Sequence, residues 1–498
     1  MTRVQGIKDY QCFIGGKWTS AESGETFESV DPFLAKPWAR IPKCDRRDVD
    51  RAVSAARKAL ESSAWADMHP SQRGQLLRKL GDLILRDADR LAATEVQDNG
   101  KLYAEMRGQV GYLPQWYYYF GGLADKIEGA VVPIDKADMF TYTRHEPVGV
   151  VAAITAWNSP LLLLTWKLAA ALAAGCAVIA KPSEFTSAST LEFARLVEEA
   201  GFPAGVFNVV TGFGADVGEA LTTHPGVDKI AFTGGENSGR HIARNAAQTF
   251  KRLTLELGGK SAQLVFPDTD IDNAVKGVVS GIFAATGQTC IAGSRLLVHE
   301  SIHNEFLDKF TALAKTARMG DPMDMATQVG PVTTQPQYQR ILSCIEMARN
   351  EGADCVMGGK PADRPECGDG WFIEPTVFAN VSNSMRIAQE EVFGPVLSVI
   401  RFREDDEAYA MANDTAYGLA AGVWTNDQRR IFTAAKRLRA GSIWTNTYRA
   451  VSYMAPFGGF KNSGLGRESG QEAINEYLET KCVWMSYGKD VPNPFVMR

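Results

Sequence analysis

Cysteine is scarce and unpatterned. Cys12, Cys44, Cys176, Cys290, Cys344, Cys355, Cys367 and Cys482 are scattered without a single CxxC pair; this excludes a disulfide framework and points to reduced thiols in a reducing compartment. An excess of charge of either sign is also missing: 53 Lys and Arg face 58 Asp and Glu, for a formal net charge of −5. Without a basic stripe or polybasic run, neither nucleic acid nor a membrane surface is expected as a partner. Met1–Tyr10 lacks the basic start and apolar stretch of a secretory signal, so a cytoplasmic location is expected. Long hydrophobic runs are nearly absent. Only the stretch from Pro160 to Ala180 has the apolar content of a membrane span, and Lys167 with the Gly175-Cys176 break makes a buried helix followed by a buried strand the expected form.

Several motifs are present in letters only or absent. No Gly-x-Ser-x-Gly or Walker sequence occurs, so serine-hydrolase and P-loop chemistries lack their central residue. His299-Glu300-Ser301-Ile302-His303 spells HExxH, but Arg295–His299 reads as a strand and Ser301 as a helix cap, whereas zinc needs both imidazoles on one helical face. Asp268–Asn273 opens like a calcium loop, yet Asn273 replaces the turn glycine and Val279 the bidentate Glu. No metal is expected.

What is present is a large α/β chain. At 498 residues it exceeds the size at which one hydrophobic core stops growing, so two or three domains are expected. From Val148 to Leu257, short β-branched runs (148–154, 177–181, 206–210, 229–232, 252–257) alternate with helical patterns (162–174, 189–200, 214–222, 238–250). This is the rhythm of a parallel sheet covered on both faces. A second α/β region runs from Gly258 to Tyr448, with helices expected over 271–285 and 301–317 and strands over 295–299 and 396–402.

Four segments carry candidate chemistry. Cys290 sits among small residues in Gly287-Gln288-Thr289-Cys290-Ile291-Ala292-Gly293, where backbone amides would hold the thiol partly as thiolate, below the free value of about 8.5; a packed core cysteine is the alternative. Glu256 ends an apolar strand, the place where parallel sheets put ligands, and burial there would raise it toward a useful base; a solvated strand-end carboxylate is the alternative. Asn158 follows one strand and precedes a helix, suited to an oxyanion donor or to simple capping. Phe232-Thr233-Gly234-Gly235 with Gly239, and Lys181-Pro182-Ser183-Glu184, would suit a pyrophosphate and a ribose, although a glycine turn is common for steric reasons alone.

Taken in order, Asn158, Lys181 with Glu184, Gly234 with Gly239, Glu256 before Leu-Gly-Gly-Lys, Cys290, and Glu391 before Phe393-Gly394-Pro395 resemble the aldehyde dehydrogenase superfamily. The likeness extends from Ile14-Gly15-Gly16-Lys17-Trp18 to Pro456–Glu468. It implies a Rossmann-like dinucleotide-binding domain (1–123 and 146–255), an α/β catalytic domain (256–470), and a small β oligomerisation element made of a hairpin at 124–145 and a C-terminal strand within 471–498. It implies oxidation of an aldehyde with NAD, NADP being a further possibility, in a homodimer or homotetramer. Cys290 would be the nucleophile, Glu256 the base, Asn158 an oxyanion donor, and Lys167 with Glu468 a proton exit.

The same resemblance assigns Ile154, Thr155 and Trp157, the Lys181, Ser183 and Glu184 segment, and Gly214 to the cofactor. It adds Phe232, Thr233, Gly234, Gly235 and Gly239, then Leu257, Gly258, Glu391 and Phe393. Ala156, Gly235 and Ala285 stand where proline, serine and asparagine are usual, and Glu184 favours NAD by repelling a 2′-phosphate. Ser159 stands where a bulky aromatic is common, implying a wider tunnel walled by Tyr112, Trp116, Trp166 and Phe457 beside Thr289 and Ile291. That suits a bulky apolar or aromatic aldehyde; Arg449 offers the rival reading of a semialdehyde acid. Transfer of the thioester to coenzyme A is a further alternative, and a branch with that chemistry typically lacks the carboxylate base that Glu256 supplies.

Overall fold

The computed structural model describes Arg3, residues 6–488, Asn493 and Phe495. The outer ends of the expected units, at residues 1–2, 4–5, 489–492, 494 and 496–498, lie outside them. An eight-stranded sheet runs in the order Gly464–Leu465, Arg252–Glu256, Lys229–Thr233, Val150–Ile154, Ala177–Lys181, Phe207–Val209, Cys12–Ile14, Lys17–Thr19. Its five central strands are parallel. Every residue of Val150–Ile154, Ala177–Lys181 and Lys229–Thr233 is buried, as expected where helices cover both faces. Val150–Ile154 lies between the strands that follow it on one side and those that come later on the other. The strand order therefore reverses beside Ile154, and a crevice opens there outside the carboxyl ends of the strands.

The apolar stretch after Asn158 behaves as its composition requires. Pro160 starts the helix Pro160–Ala174, Gly175 ends it at φ 97°, and nearly the whole helix is buried, the pattern of a helix that is apolar all round. Among the described residues no helix is long and apolar enough to cross a membrane. The helix expected over 214–222 begins instead as a wide turn, Gly214–Gly218, and becomes α-helical only over Glu219–Thr223.

A second sheet of seven strands packs Ala262–Val265 between Arg295–His299 and Ala420–Trp424, with Val396–Phe402 next outward. The chain then returns: Gly464–Leu465, from within the region expected as the catalytic unit, pairs antiparallel with Leu255–Glu256 of the first sheet. Within 124–145 the chain folds back on itself, the Val132 amide donating to the Thr141 carbonyl at 2.9 Å and the Thr143 amide to the Ala130 carbonyl at 2.8 Å. Only a short stretch near Val131 pairs with Tyr142, and the strand Met139–Pro147 takes Leu478–Ser486 as its partner along its full length.

Candidate active site

The helix Ile271–Phe283 stops where Ala285, Thr286 and Gly287 turn left-handed at φ 53°, 55° and 68°. Such backbone strain in non-glycine residues persists only where the surroundings impose it. Here a Cβ on Gly287 would lie 2.1 Å from the Gly394 carbonyl oxygen, while Thr286 Oγ1 donates to Gly330 (3.1 Å) and Gln288 Nε2 to Pro331 (3.2 Å). The turn delivers Cys290, which is half-buried. Asn158 reaches the same loop from the first sheet, its Nδ2 donating to the Gln288 carbonyl at 3.1 Å. An amide nitrogen has a second N–H, available for an oxyanion beside Cys290.

Glu256 comes from the strand end just beyond the reversal of strand order. Gly259 lets its segment run against the Cys290 loop, since a Cβ there would stand 2.7 Å from the Cys290 carbonyl oxygen. Glu256 is 4% exposed and neither carboxylate oxygen has a hydrogen-bond partner among the described residues. Burial and the neighbouring Glu468 charge hold it well above the usual carboxylate range. The thiol departs from expectation: burial, with the charges of Glu256 and Glu391, pushes Cys290 up to about 12 rather than below its free value. The Ile291 amide opposes this, but more weakly. A thiol in this state needs a base beside it, and Glu256 is near enough for its charge to act on the sulfur.

Behind Glu256, Lys167 pairs with Glu468 and donates to Thr233 Oγ1 at 2.6 Å. Both charged side chains are almost fully buried, and burial raises Glu468. A buried ammonium–carboxylate pair beside a second buried carboxyl is chemically able to pass protons.

The expected cofactor residues gather along the crevice. Ile154 ends the strand at the reversal and Thr155 follows it, its amide donating to the Lys181 carbonyl at 3.1 Å. Buried Lys181 lies 3.9 Å from Glu184, whose Oε2 is 3.5 Å from Ser183 Oγ. Gly235 precedes the helix Glu236–Ala247 with nothing within 4 Å of a built Cβ, and Gly214 is equally open. Gly234 and Gly239 are needed for packing, because a Cβ would meet Phe232 at 2.4 Å and Leu257 at 2.7 Å. Across the crevice Glu391 accepts from the Gly259 amide at 2.9 Å and occupies the space beside Gly258, where a Cβ would be 2.2 Å from Oε2. Phe393 meets Trp157 edge-on at 5.1 Å. An open helix start, a buried cation beside a carboxylate, and a Cβ-free cradle fit a dinucleotide.

Aromatic rings line the other side of Cys290. Trp166 lies 4.7 Å from Phe457, Trp116 5.2 Å from Tyr112, and Tyr453 6.0 Å from Trp116. Trp116 is fully buried and Tyr112 is 38% exposed, so the cluster has an inner and an outer end. Ile291 is buried and its carbonyl accepts from the Tyr448 hydroxyl at 2.9 Å; the Thr289 carbonyl accepts from Ala292. Ser159 does not leave open space where an aromatic would stand: it is 5% exposed, and its hydroxyl is held by Lys101 Nζ at 2.7 Å. Arg449, expected as a carboxylate receiver, directs Nη1 at the Ser280 carbonyl, 3.4 Å away. Lys101, Tyr448 and Tyr453 were not anticipated. Each lies far in sequence from the groups it touches, and no periodicity announces such contacts.

Residues 18–483 match the family model described as the aldehyde dehydrogenase family. A protein of Acinetobacter baylyi named (Z)-2-((N-methylformamido)methylene)-5-hydroxybutyrolactone dehydrogenase is 46% identical over 99% of this chain and 100% of its own length. Human retinal dehydrogenase 2 is 44% identical over 96% of this chain and 92% of its own. The solved structure of betaine aldehyde dehydrogenase from Staphylococcus aureus in complex with NAD+ superimposes with a TM-score of 0.96 at 38% identity, covering 98% of this chain and 96% of that one. The NAD+ complex of an aldehyde dehydrogenase from Bacillus cereus gives 0.94 at 42% identity, covering 97% of each chain. The chain belongs to the aldehyde dehydrogenase family.

Proposed function

We propose that this protein oxidises an aldehyde to a carboxylic acid with NAD, through a thioester on Cys290 that is hydrolysed by water activated by Glu256. The observation that carries the reading is the buried, unpartnered Glu256 carboxylate on a segment packed against the Cys290 backbone, with the Asn158 amide on the same loop. Glu256 takes the thiol proton, and Cys290 Sγ bonds to the aldehyde carbon. The Asn158 amide and the Cys290 backbone N–H receive the oxyanion. Bound NAD supplies the hydride acceptor. Once the thioester has formed, Glu256 removes a proton from water, whose oxygen attacks the acyl carbon and displaces the sulfur. Protons collected by Glu256 leave by way of Glu468 and Lys167. Glu256 at the site supports hydrolysis rather than transfer to coenzyme A.

The substrate has a bulky apolar or aromatic body, supported by the ring cluster from Trp116 and Trp166 to Tyr112 and Tyr453. The relatives' names span retinal, betaine aldehyde and a substituted lactone, so the family alone does not choose. Glu184 beside Lys181 favours NAD over its 2′-phosphate analogue. The antiparallel ribbon of Met139–Pro147 and Leu478–Ser486 exposes Phe140, Trp484 and Met485. A two-stranded ribbon is marginal alone, which supports assembly into a homodimer or homotetramer. The described cysteines are all free, in keeping with a cytoplasmic location. Steady-state NADH formation with benzaldehyde and with succinate semialdehyde tests the substrate reading: benzaldehyde is expected to have the higher kcat/KM, and preference for the small anion would overturn it.

A further inference from the structure

A polar strip runs through this aromatic pocket, and the oxidation chemistry uses none of it. The helix Tyr103–Tyr112 places Glu105, Gln109 and Tyr112 at i, i+4 and i+7, on one face. The two ends of that face are fixed independently. Tyr112 packs on Trp116 and Tyr453 at the exposed end, while Glu105 Oε1 accepts from the Ala285 amide at 3.1 Å, at the turn that delivers Cys290. Gln109 therefore lies between the mouth and the reacting sulfur.

Three polar atoms here are buried without a partner among the described residues: Glu105 Oε2, Gln109 Oε1 and Trp166 Nε1. Trp166 is 4% exposed. Buried polar groups in native proteins are nearly always paired, with protein, water or ligand, and one left alone is costly. Lys101 joins the same group. It is 5% exposed, donates to Ser159 Oγ at 2.7 Å, and lies close enough to Glu105, Arg449 and Cys290 for their charges to act on it.

The strip is also close to neutral. Lys101 faces the carboxylates of Glu105 and Glu95, and burial pulls it down to about 8. Arg449, the other cation, is engaged at the Ser280 carbonyl. A net anion gains little from such a surrounding, whereas a neutral group with both a donor and an acceptor can pair the orphaned atoms.

From this geometry we infer that Lys101, Ser159, Glu105, Gln109 and Trp166 form a specificity-determining polar wall, and that the preferred aldehyde carries a neutral hydrogen-bonding group, such as an amide, lactone or hydroxyl, on its apolar body. The inference rests on the proposed oxidation at Cys290 and deepens it by naming the substrate class.

Three para-substituted benzaldehydes of similar size decide it with the full-length protein and saturating NAD: 4-formylbenzamide (neutral polar), 4-isopropylbenzaldehyde (apolar) and 4-carboxybenzaldehyde (anionic). The amide is expected to exceed the isopropyl compound by about tenfold or more in kcat/KM, because the apolar analogue leaves buried polar atoms unpaired. Gln109→Leu and Ser159→Ala are each expected to shrink that ratio toward one. Ser159→Ala also strands Lys101, so Gln109→Leu, at a half-buried position, keeps the test open if the first variant fails to fold. A preference for the isopropyl or the carboxylate compound, or a ratio unmoved by Gln109→Leu, overturns the inference. If no aldehyde is oxidised, the oxidation reading falls, and direct titration of the same compounds by tryptophan fluorescence decides the pocket: tighter binding of the amide supports the wall, and equal or weaker binding overturns it.

Discussion

At the scale of single residues, the identities of the chemical groups were legible in the sequence and their ionisation was not. Cys290 among small residues and Glu256 at a strand end could be picked out because each needs a particular local setting. The state of the thiol depends instead on what packs around it, and burial with Glu256 and Glu391 raises it to about 12, opposite to the direction expected from nearby amides. The sign gives a prediction. With the folded value raised, the thiolate is scarce at neutral pH, and its fraction climbs until pH approaches that value. Alkylation of Cys290 by iodoacetamide, in protein without dinucleotide and followed by peptide mass spectrometry, is expected to accelerate about tenfold per unit between roughly pH 7 and pH 10. A rate that has levelled off by about pH 9.5 would show a thiol at or below its free value and would contradict this environment.

At the scale of elements, the buried central strands are legible, because five residues in succession buried on both faces are mostly apolar or β-branched, with lysines such as Lys181 and Lys229 confined to the strand ends. Ala177–Lys181, Arg295–His299 and Val396–Phe402 fall where the sequence puts them. Two-residue pairings such as Gly464–Leu465 leave no such signature, and the three left-handed residues before Cys290 include no asparagine and only one glycine to announce them. Glycines at the site are specific in a way the motif alone does not reveal. Gly235 has open space around it, whereas a Cβ on Gly258 would stand 2.2 Å from the Glu391 carboxylate. Gly258→Ala is expected to displace Glu391 and lower kcat/KM for NAD by as much as about 100-fold, the scale of a misplaced positioning group. Gly235→Ala should change it little. Equal effects of the two substitutions in steady-state kinetics would remove Glu391 from the cofactor cradle.

At the scale of the whole molecule, the α/β class and its two sheets followed from the alternation of strand and helix patterns, while the return of the chain to the first sheet did not. Long-range pairing of short segments is set by the packed whole rather than by local preference. The ribbon of Met139–Pro147 and Leu478–Ser486 belongs to this scale, since its Phe140, Trp484 and Met485 are exposed among the described residues. Light scattering coupled to size exclusion is expected to give the mass of two or four chains, and a monomer at micromolar concentration would contradict the assembly. The account's centre is the thioester, and intact-mass spectrometry of Glu256→Gln after mixing with NAD and benzaldehyde tests it most directly. At about pH 9, where a fraction of the thiol ionises without the carboxylate whose charge raises it, a slow gain of one acyl group per chain, located on the peptide containing Cys290 and absent from Cys290→Ala, is the predicted result. Undiminished steady turnover in either variant, or an acyl group on another residue, would contradict it.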